Sequence, residues 1–184
     1  MKQKMVNRQF IVNREKIEVK RKTLQQTSVE SDGWEIHYID QTTNEKWIEY
    51  RMEPEYHGGG YPILAKLPIP NTEQLMEIAL ESNNLDEIAG ASVFIYTNEE
   101  YDKIEFRNEL IEKIEEFYKQ RDGKLTEFDS KKIEIIIYET SLSDSTNRKQ
   151  TIGKHYTEIE KDHEYYKQNA ERAKRILNEI KRSH

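Results

Sequence analysis

The sequence predicts an α+β fold: one domain, 1–184, in which an antiparallel sheet packs with three short helices and a long C-terminal helix. Three observations indicate this class. Apolar residues alternate with polar ones before residue 70, as they do in half-buried strands. Between 71 and 121, and again after 155, they recur at spacings of three and four, as in amphipathic helices. All four prolines and three of the seven glycines lie within 54–70, between these two kinds of segment.

The first part, 1–70, is expected to be rich in β-structure. Alternation around Asn13-Arg14 predicts a hairpin or two strands near 9–23, and the polar stretch 24–32 is expected to be a loop. A short strand is expected near Ile63–Lys66.

The clearest hairpin spans 34–52, with its turn at Thr42, Thr43 and Asn44. One register collects its apolar side chains on a single face, and it pairs Trp34 with Met52, Ile36 with Tyr50, and Tyr38 with Ile48. The same register turns Trp47 to the opposite face, where it is expected to be open to a partner.

The middle part, 71–121, is expected to be helical, over about 73–81, 84–96 and 101–119. Asn84 followed three residues later by Glu87 resembles a capping box. The last part, 132–184, is expected to hold a strand near 132–139, because KIEIIIYE is rich in β-branched residues. A long amphipathic helix is expected from His155 to about Arg182.

The composition excludes several classes of protein. The absence of cysteine excludes a disulfide scaffold, a thiolate metal site and a cysteine nucleophile. No run of 18 apolar residues is present, so the sequence does not predict a membrane span. Because the N-terminal MKQKMVNRQF lacks an apolar signal segment, a cytoplasmic protein is expected.

The formal net charge of −6 is distributed unevenly along the chain. Residues 1–24 carry +6, 25–70 carry −5, 71–118 carry −10 and 119–184 carry +3. The field of the acidic middle repels nucleic acid and membrane surfaces and attracts a basic partner. Solvated helix faces are the simpler explanation of the same pattern.

Motifs for catalysis, metal binding and cofactor binding are not found. His163-Glu164 begins a helical zinc motif, but Lys167 stands where the second histidine is required. No GxSxG nucleophile motif occurs. The three glycines Gly58, Gly59 and Gly60 are not followed by the Lys-Ser/Thr pair of a phosphate-binding loop, so they are expected to be structural. We therefore predict no catalytic residue, no metal and no cofactor.

One local cluster has the composition of a protein-binding hot spot, with aromatic side chains beside a rigid Gly/Pro loop and acidic neighbours. The candidate partner-binding residues are Trp47, Glu53, Glu55, Tyr56, His57, Gly58, Gly59, Gly60 and Tyr61. The competing interpretation is that Trp47 is covered by the C-terminal helix or by the N-terminal strands.

Residues 32–64 resemble immunity protein 27, a family of bacterial immunity proteins from polymorphic toxin systems. The motifs that carry the resemblance are Asp32-Gly33-Trp34-Glu35, then Tyr38 and Asp40, then Trp47, then His57-Gly58-Gly59-Gly60 with Pro62 and Leu64. The resemblance implies a small, cytoplasmic, non-catalytic protein that neutralises a cognate toxin by masking its active surface. Many such toxin domains are nucleases with basic sites, which an acidic inhibitor complements.

Two other functions are weighed against this one. A helical adaptor or structural protein would bind through its helices, and an enzyme would use His57 with Glu53 or Glu55. The sequence favours a protein partner over nucleic acid or membrane, and it leaves the toxin's identity and the oligomeric state open.

Overall fold

The computed structural model describes residues 8–30, 34–52, 60–121 and 124–182. Within these ranges the chain forms five strands and six helices, which confirms the α+β class and the long C-terminal helix. The strands are β1 (Phe10–Ile11), β2 (Leu24–Val29), β3 (Glu35–Asp40), β4 (Lys46–Met52) and β5 (Tyr61–Lys66). The helices are α1 (Arg14–Arg21), α2 (Thr72–Glu81), α3 (Leu85–Asp102), α4 (Arg107–Lys119), α5 (Glu127–Glu139) and α6 (Tyr156–Arg182).

The chain divides into two compact units. Unit 1 is Met1–Asn71 with Asn83–Gly90, and unit 2 is Thr72–Ser82 with Ala91–His184. Unit 1 contains the sheet and α1, whereas unit 2 is helical in its described residues.

The sheet of unit 1 is antiparallel throughout, with the strand order β1-β5-β4-β3-β2. Alternation places successive side chains on opposite faces, and both faces are buried near the centre. One face packs under α1 and contributes Ile11, Trp47 and Leu64 to a cluster with Ile17. On the other face the buried side chains are Phe10, Ile48, Met52, Ile63 and Ala65.

The hairpin predicted near 9–23 is wrong, because its second half is the helix α1. The Asn13 side chain caps this helix by accepting a hydrogen bond from the Lys16 backbone N–H at 3.1 Å. Only Ile17 is buried, and Val19 is 64% exposed, so the apparent alternation does not describe a strand.

The loop predicted over 24–32 is also wrong, because Leu24–Val29 is the strand β2 at one edge of the sheet. Its polar composition reflects exposure, since five of its six residues are exposed. A bulge between Gln26 and Ser28 interrupts its pairing with β3.

The hairpin over 34–52 is confirmed, but its predicted register is wrong by one residue. Tyr38 pairs with Trp47 and Ile36 with Glu49, so Trp47 lies on the same face as these two apolar side chains. The prediction assumed that only one face is covered. Because α1 covers the face that bears Trp47, apolar alternation does not select the register here.

The four helical segments predicted after residue 70 match α2, α3, α4 and α6 in type. For α2 the predicted start and end are each within about one residue, whereas α3 extends to Asp102 and α4 begins only at Arg107. Asn84 caps α3 as predicted, since its side chain accepts a hydrogen bond from the Asp86 N–H at 2.9 Å. The Glu87 side chain, the second member of the predicted capping box, instead accepts hydrogen bonds from the backbone N–H groups of Gln9 and Phe10.

The strand predicted near 132–139 is wrong, because this segment lies in α5. Thr126 and Asp129 form a capping box that starts the helix. Ile133, Ile136 and Ile137 are buried at helical spacing, so burial of one helical face outweighs the β-propensity of the isoleucines.

Candidate protein-binding surface

Trp47 is the candidate residue whose placement differs most from the prediction. It is 3% exposed and packs against Ile17 and Leu64 beneath α1, with the Lys20 ammonium 4.5 Å from its ring centre. The prediction that it stands open to a partner is therefore wrong. Helix α1 covers the Trp47 side chain. The prediction placed a hairpin at 9–23 instead of this helix and therefore left Trp47 uncovered.

Two other candidate residues are described at the start of β5. Tyr61 is 42% exposed, and Gly60 is half-buried with a φ of +72°, in the left-handed region that favours glycine. Glu53, Glu55, Tyr56, His57, Gly58 and Gly59 lie outside the described residues. The role of residues 53–59 in binding a partner therefore stays a prediction, and Tyr61 and Gly60 are the neighbouring candidates that the structure describes.

A polar network lies beside Trp47 on the α1 face of the sheet. The Glu49 carboxylate is fully buried and accepts hydrogen bonds from Arg21 Nη2 at 2.6 Å, Arg21 Nε at 3.0 Å and the Tyr38 hydroxyl at 3.3 Å. The hydrogen bonds that Arg21 donates to Glu49 raise the pKa of Arg21, and burial together with the Glu49 charge raises the pKa of Tyr38. This pairing fixes α1 on the sheet and neutralises the negative charge of Glu49 on β4.

Asp40, one of the residues that carry the resemblance, is 1% exposed at the end of β3. Burial alone would raise the pKa of its carboxyl, but hydrogen bonds from Lys20 and Thr42 lower it well below its usual range. Asp40 therefore joins the turn of the hairpin to α1, which is a structural role.

Many acidic side chains of unit 2 have basic partners from the C-terminal part of the chain. Glu115 on α4 accepts hydrogen bonds from Arg172 on α6 at 2.9 and 3.1 Å, and these lower the pKa of the Glu115 carboxyl. Glu105 pairs with Lys149, which also lies 3.2 Å from Asp162. Basic side chains of 119–184 thus pair with some of the carboxylates of the −10 segment.

Arg107 occupies the centre of this pairing and is fully buried. Its guanidinium donates to Glu99 Oε1 at 2.8 Å and Oε2 at 2.9 Å, and to the backbone carbonyls of Ser141 and Asp144 at 3.1 and 3.0 Å. The ring of Tyr166 lies 4.7 Å away, and burial raises the pKa of this phenol to about 12. Arg107 consequently fixes the loop that follows α5.

A stripe of acidic side chains on α2 differs from these paired groups. Glu73, Glu77 and Glu81 recur every four residues, and all three are exposed. Among the described residues none of the three forms an ion pair within 4 Å. Sequence reasoning located the acidic segment but missed this stripe, although the spacing of three glutamates at i, i+4 and i+8 identifies it.

His163 lines a shallow cavity of about 600 Å³ on α6, between Glu160 and Glu164 and beside Tyr156 and Ile159. Within the described ranges no group of three histidine, aspartate or glutamate side chains is arranged to hold a metal ion. None of the helices there is both long enough and apolar enough to cross a membrane.

In comparisons with protein-family models, with curated proteins and with solved structures, the chain matches none of them.

Proposed function

We propose that this chain is a cytoplasmic, non-catalytic immunity protein that binds a cognate toxin domain and masks its basic active surface. The observation that carries the proposal is the α2 stripe of Glu73, Glu77 and Glu81, which stays exposed and unpaired among the described residues. The resemblance of residues 32–64 to an immunity family supports the same function.

Charge complementarity explains why such a stripe suits an inhibitor. Three carboxylates on one helical face present acceptors to a row of lysine or arginine side chains, such as those that line a nuclease site. Their field accelerates the encounter with a positively charged partner, and this acceleration weakens as salt shortens the Debye length from about 10 Å at 0.1 M to about 3 Å at 1 M.

A separate contact with the toxin is proposed in unit 1, at the exposed Tyr61. An exposed tyrosine supplies contact area at a low cost in conformational entropy, so its truncation acts mainly on dissociation. The acidic stripe, in contrast, acts mainly on the rate of association.

The test begins with capture of the partner from the native strain and measurement of its toxicity with and without this protein. Association rates of the purified pair are then measured across a salt series for the triple variant Glu73→Gln, Glu77→Gln and Glu81→Gln. The matched control removes three other exposed carboxylates, in Glu109→Gln, Glu127→Gln and Glu171→Gln. Circular dichroism establishes that each variant is folded.

We expect the α2 variant to associate about tenfold more slowly at low salt and the control to associate at the rate of the unchanged protein. Tyr61→Ala should accelerate dissociation, by a factor that corresponds to about 2 kcal/mol if the residue is a hot spot. Captured partners that are not toxic would favour the adaptor function instead. An association rate that changes neither with salt nor in the α2 variant would contradict the proposed interface.

A further inference from the structure

The two edges of the sheet in unit 1 differ in what they offer to another strand. At one edge, β1 consists of only Phe10 and Ile11, which are 0% and 7% exposed. At the other edge, β2 runs over six residues, and every residue after Leu24 is exposed. Because an edge strand has backbone N–H and C=O groups directed away from its sheet, β2 is an available template for a further strand.

The composition of β2 lacks most features by which edge strands prevent pairing. The strand reads LQQTSV and contains no charged residue and no proline. Its glutamine and threonine side chains can both donate and accept hydrogen bonds. The remaining feature is the bulge between Gln26 and Ser28.

The bulge changes which side chains share a face. Leu24 pairs with Asp40 and Val29 pairs with Ile36, and residues 36 and 40 lie on the same face of β3 because they are four apart. Leu24 and Val29 therefore share a face although they are five residues apart. In a regular strand that spacing would place them on opposite faces.

We propose that β2 pairs antiparallel with β2 of a second copy of this chain, about a two-fold axis that passes between Gln26 and Thr27. Residues opposite one another in such a pair must lie on the same face of the sheet. Leu24 of one copy would lie opposite Val29 of the other, and the bulge places these two residues on the same face. The pairing occurs twice by symmetry. It covers Val29, which is 46% exposed in the single chain.

The charges at the two ends of β2 favour this orientation. Lys22 precedes the strand and Glu30 follows it, and both are exposed. Antiparallel pairing of two copies brings the lysine end of one strand to the glutamate end of the other, whereas parallel pairing would bring like charges together. Since the strand itself is uncharged, no repulsion arises at the axis.

The oligomeric state of the full chain tests the proposal, by sedimentation velocity over a concentration series. We expect a species of twice the 22.1 kDa chain mass. The double variant Gln26→Lys with Thr27→Lys places like charges across the axis and should sediment as a single chain. The control Gln120→Lys with Thr157→Lys makes the same charge change at two exposed positions, the C-cap of α4 and the first turn of α6, and should remain dimeric.

A charge exchange tests the orientation of the strands. Lys22→Glu and Glu30→Lys should each weaken the dimer about fivefold or more, and the two changes combined should restore it. A single chain at every concentration overturns the proposal. A dimer that is unaffected by the lysine pair in β2 overturns its location. A monomer whose β2 amides become protected from hydrogen exchange when toxin is added would assign this edge to the toxin, and would likewise overturn pairing with a second copy.

Discussion

The two units bury charge in different ways. In unit 1 the buried groups are carboxylates, Glu49 and Asp40, and their partners Arg21 and Lys20 remain partly exposed on α1. In unit 2 the cation Arg107 is buried together with its partner Glu99, and the buried Lys132 donates to the backbone carbonyl of Leu80. Water therefore reaches one member of each of these two pairs in unit 1 and neither member of the Arg107–Glu99 pair in unit 2.

This difference determines what each pair contributes. A partly exposed pair loses less hydration when it forms and is screened by salt. A fully desolvated pair is costly to assemble, so its main effect appears when one member is removed and the other is left buried without its counterion. The comparison predicts unequal responses to equivalent substitutions.

The largest effect is expected in unit 2, for Arg107→Met. Of the described residues, the change leaves the buried Glu99 with Arg148 at 3.3 Å and the Tyr166 hydroxyl at 3.4 Å, and it frees the carbonyls of Ser141 and Asp144. We expect the free energy of unfolding to fall by about 3–5 kcal/mol, measured by urea denaturation. The control Arg175→Met alters a 63% exposed side chain and should cost less than about 1 kcal/mol. Equal costs for the two variants would contradict the comparison.

A smaller effect is expected in unit 1, for Glu49→Gln. The neutral amide still accepts one hydrogen bond from Arg21, and the freed guanidinium turns to water because α1 is partly exposed. We expect a loss of about 1–3 kcal/mol in the same assay. Glu18→Gln removes the exposed partner of the same arginine and is the matched control. A loss as large as that of Arg107→Met would show that burial of the anion alone decides the cost.

The smallest effect is expected at the surface pair of α4 and α6, and it depends on pH. The hydrogen bond from Arg172 lowers the pKa of Glu115 below its ordinary 4.5 in the folded state. The resulting stabilisation is present above about pH 4.5 and is lost as the pH falls through the lowered value. Glu115→Gln should therefore cost less than about 1 kcal/mol at pH 7 and nothing in strong acid. A loss of stability in Glu115→Gln that persists at low pH would show that packing, rather than the ion pair, accounts for the loss.

Sequence reasoning predicted the fold class and most helices because long periodic segments determine them locally. It failed where a tertiary partner decides the outcome. The spacing of Ile17 and Val19 is typical of a strand, but the cap at Asn13 and the burial of Ile17 against the sheet favour a helix. The strand prediction for the isoleucines of α5 was wrong for a similar reason, since burial of one helical face decides their structure. The capping box of Thr126 and Asp129 could have been recognised in the sequence as the start of a helix.

The candidate site was predictable only in part. A segment of negative charge is visible in the sequence, but the pairing of Glu115 with Arg172 is not, because these residues are distant along the chain. The exposure of Trp47 was predicted from a hairpin considered alone, and α1 reverses it. The stripe on α2 is the feature that helical spacing alone could have identified.

The burial of Trp47 beneath α1 provides a spectroscopic means of following the two units separately. Both tryptophans of the chain, Trp34 and Trp47, belong to unit 1, so intrinsic indole emission reports that unit alone. Far-ultraviolet circular dichroism is dominated by the helices, most of which lie in unit 2. Coincidence of the two signals during denaturation indicates a single cooperative transition, and separation of them resolves the stability of each unit in one experiment.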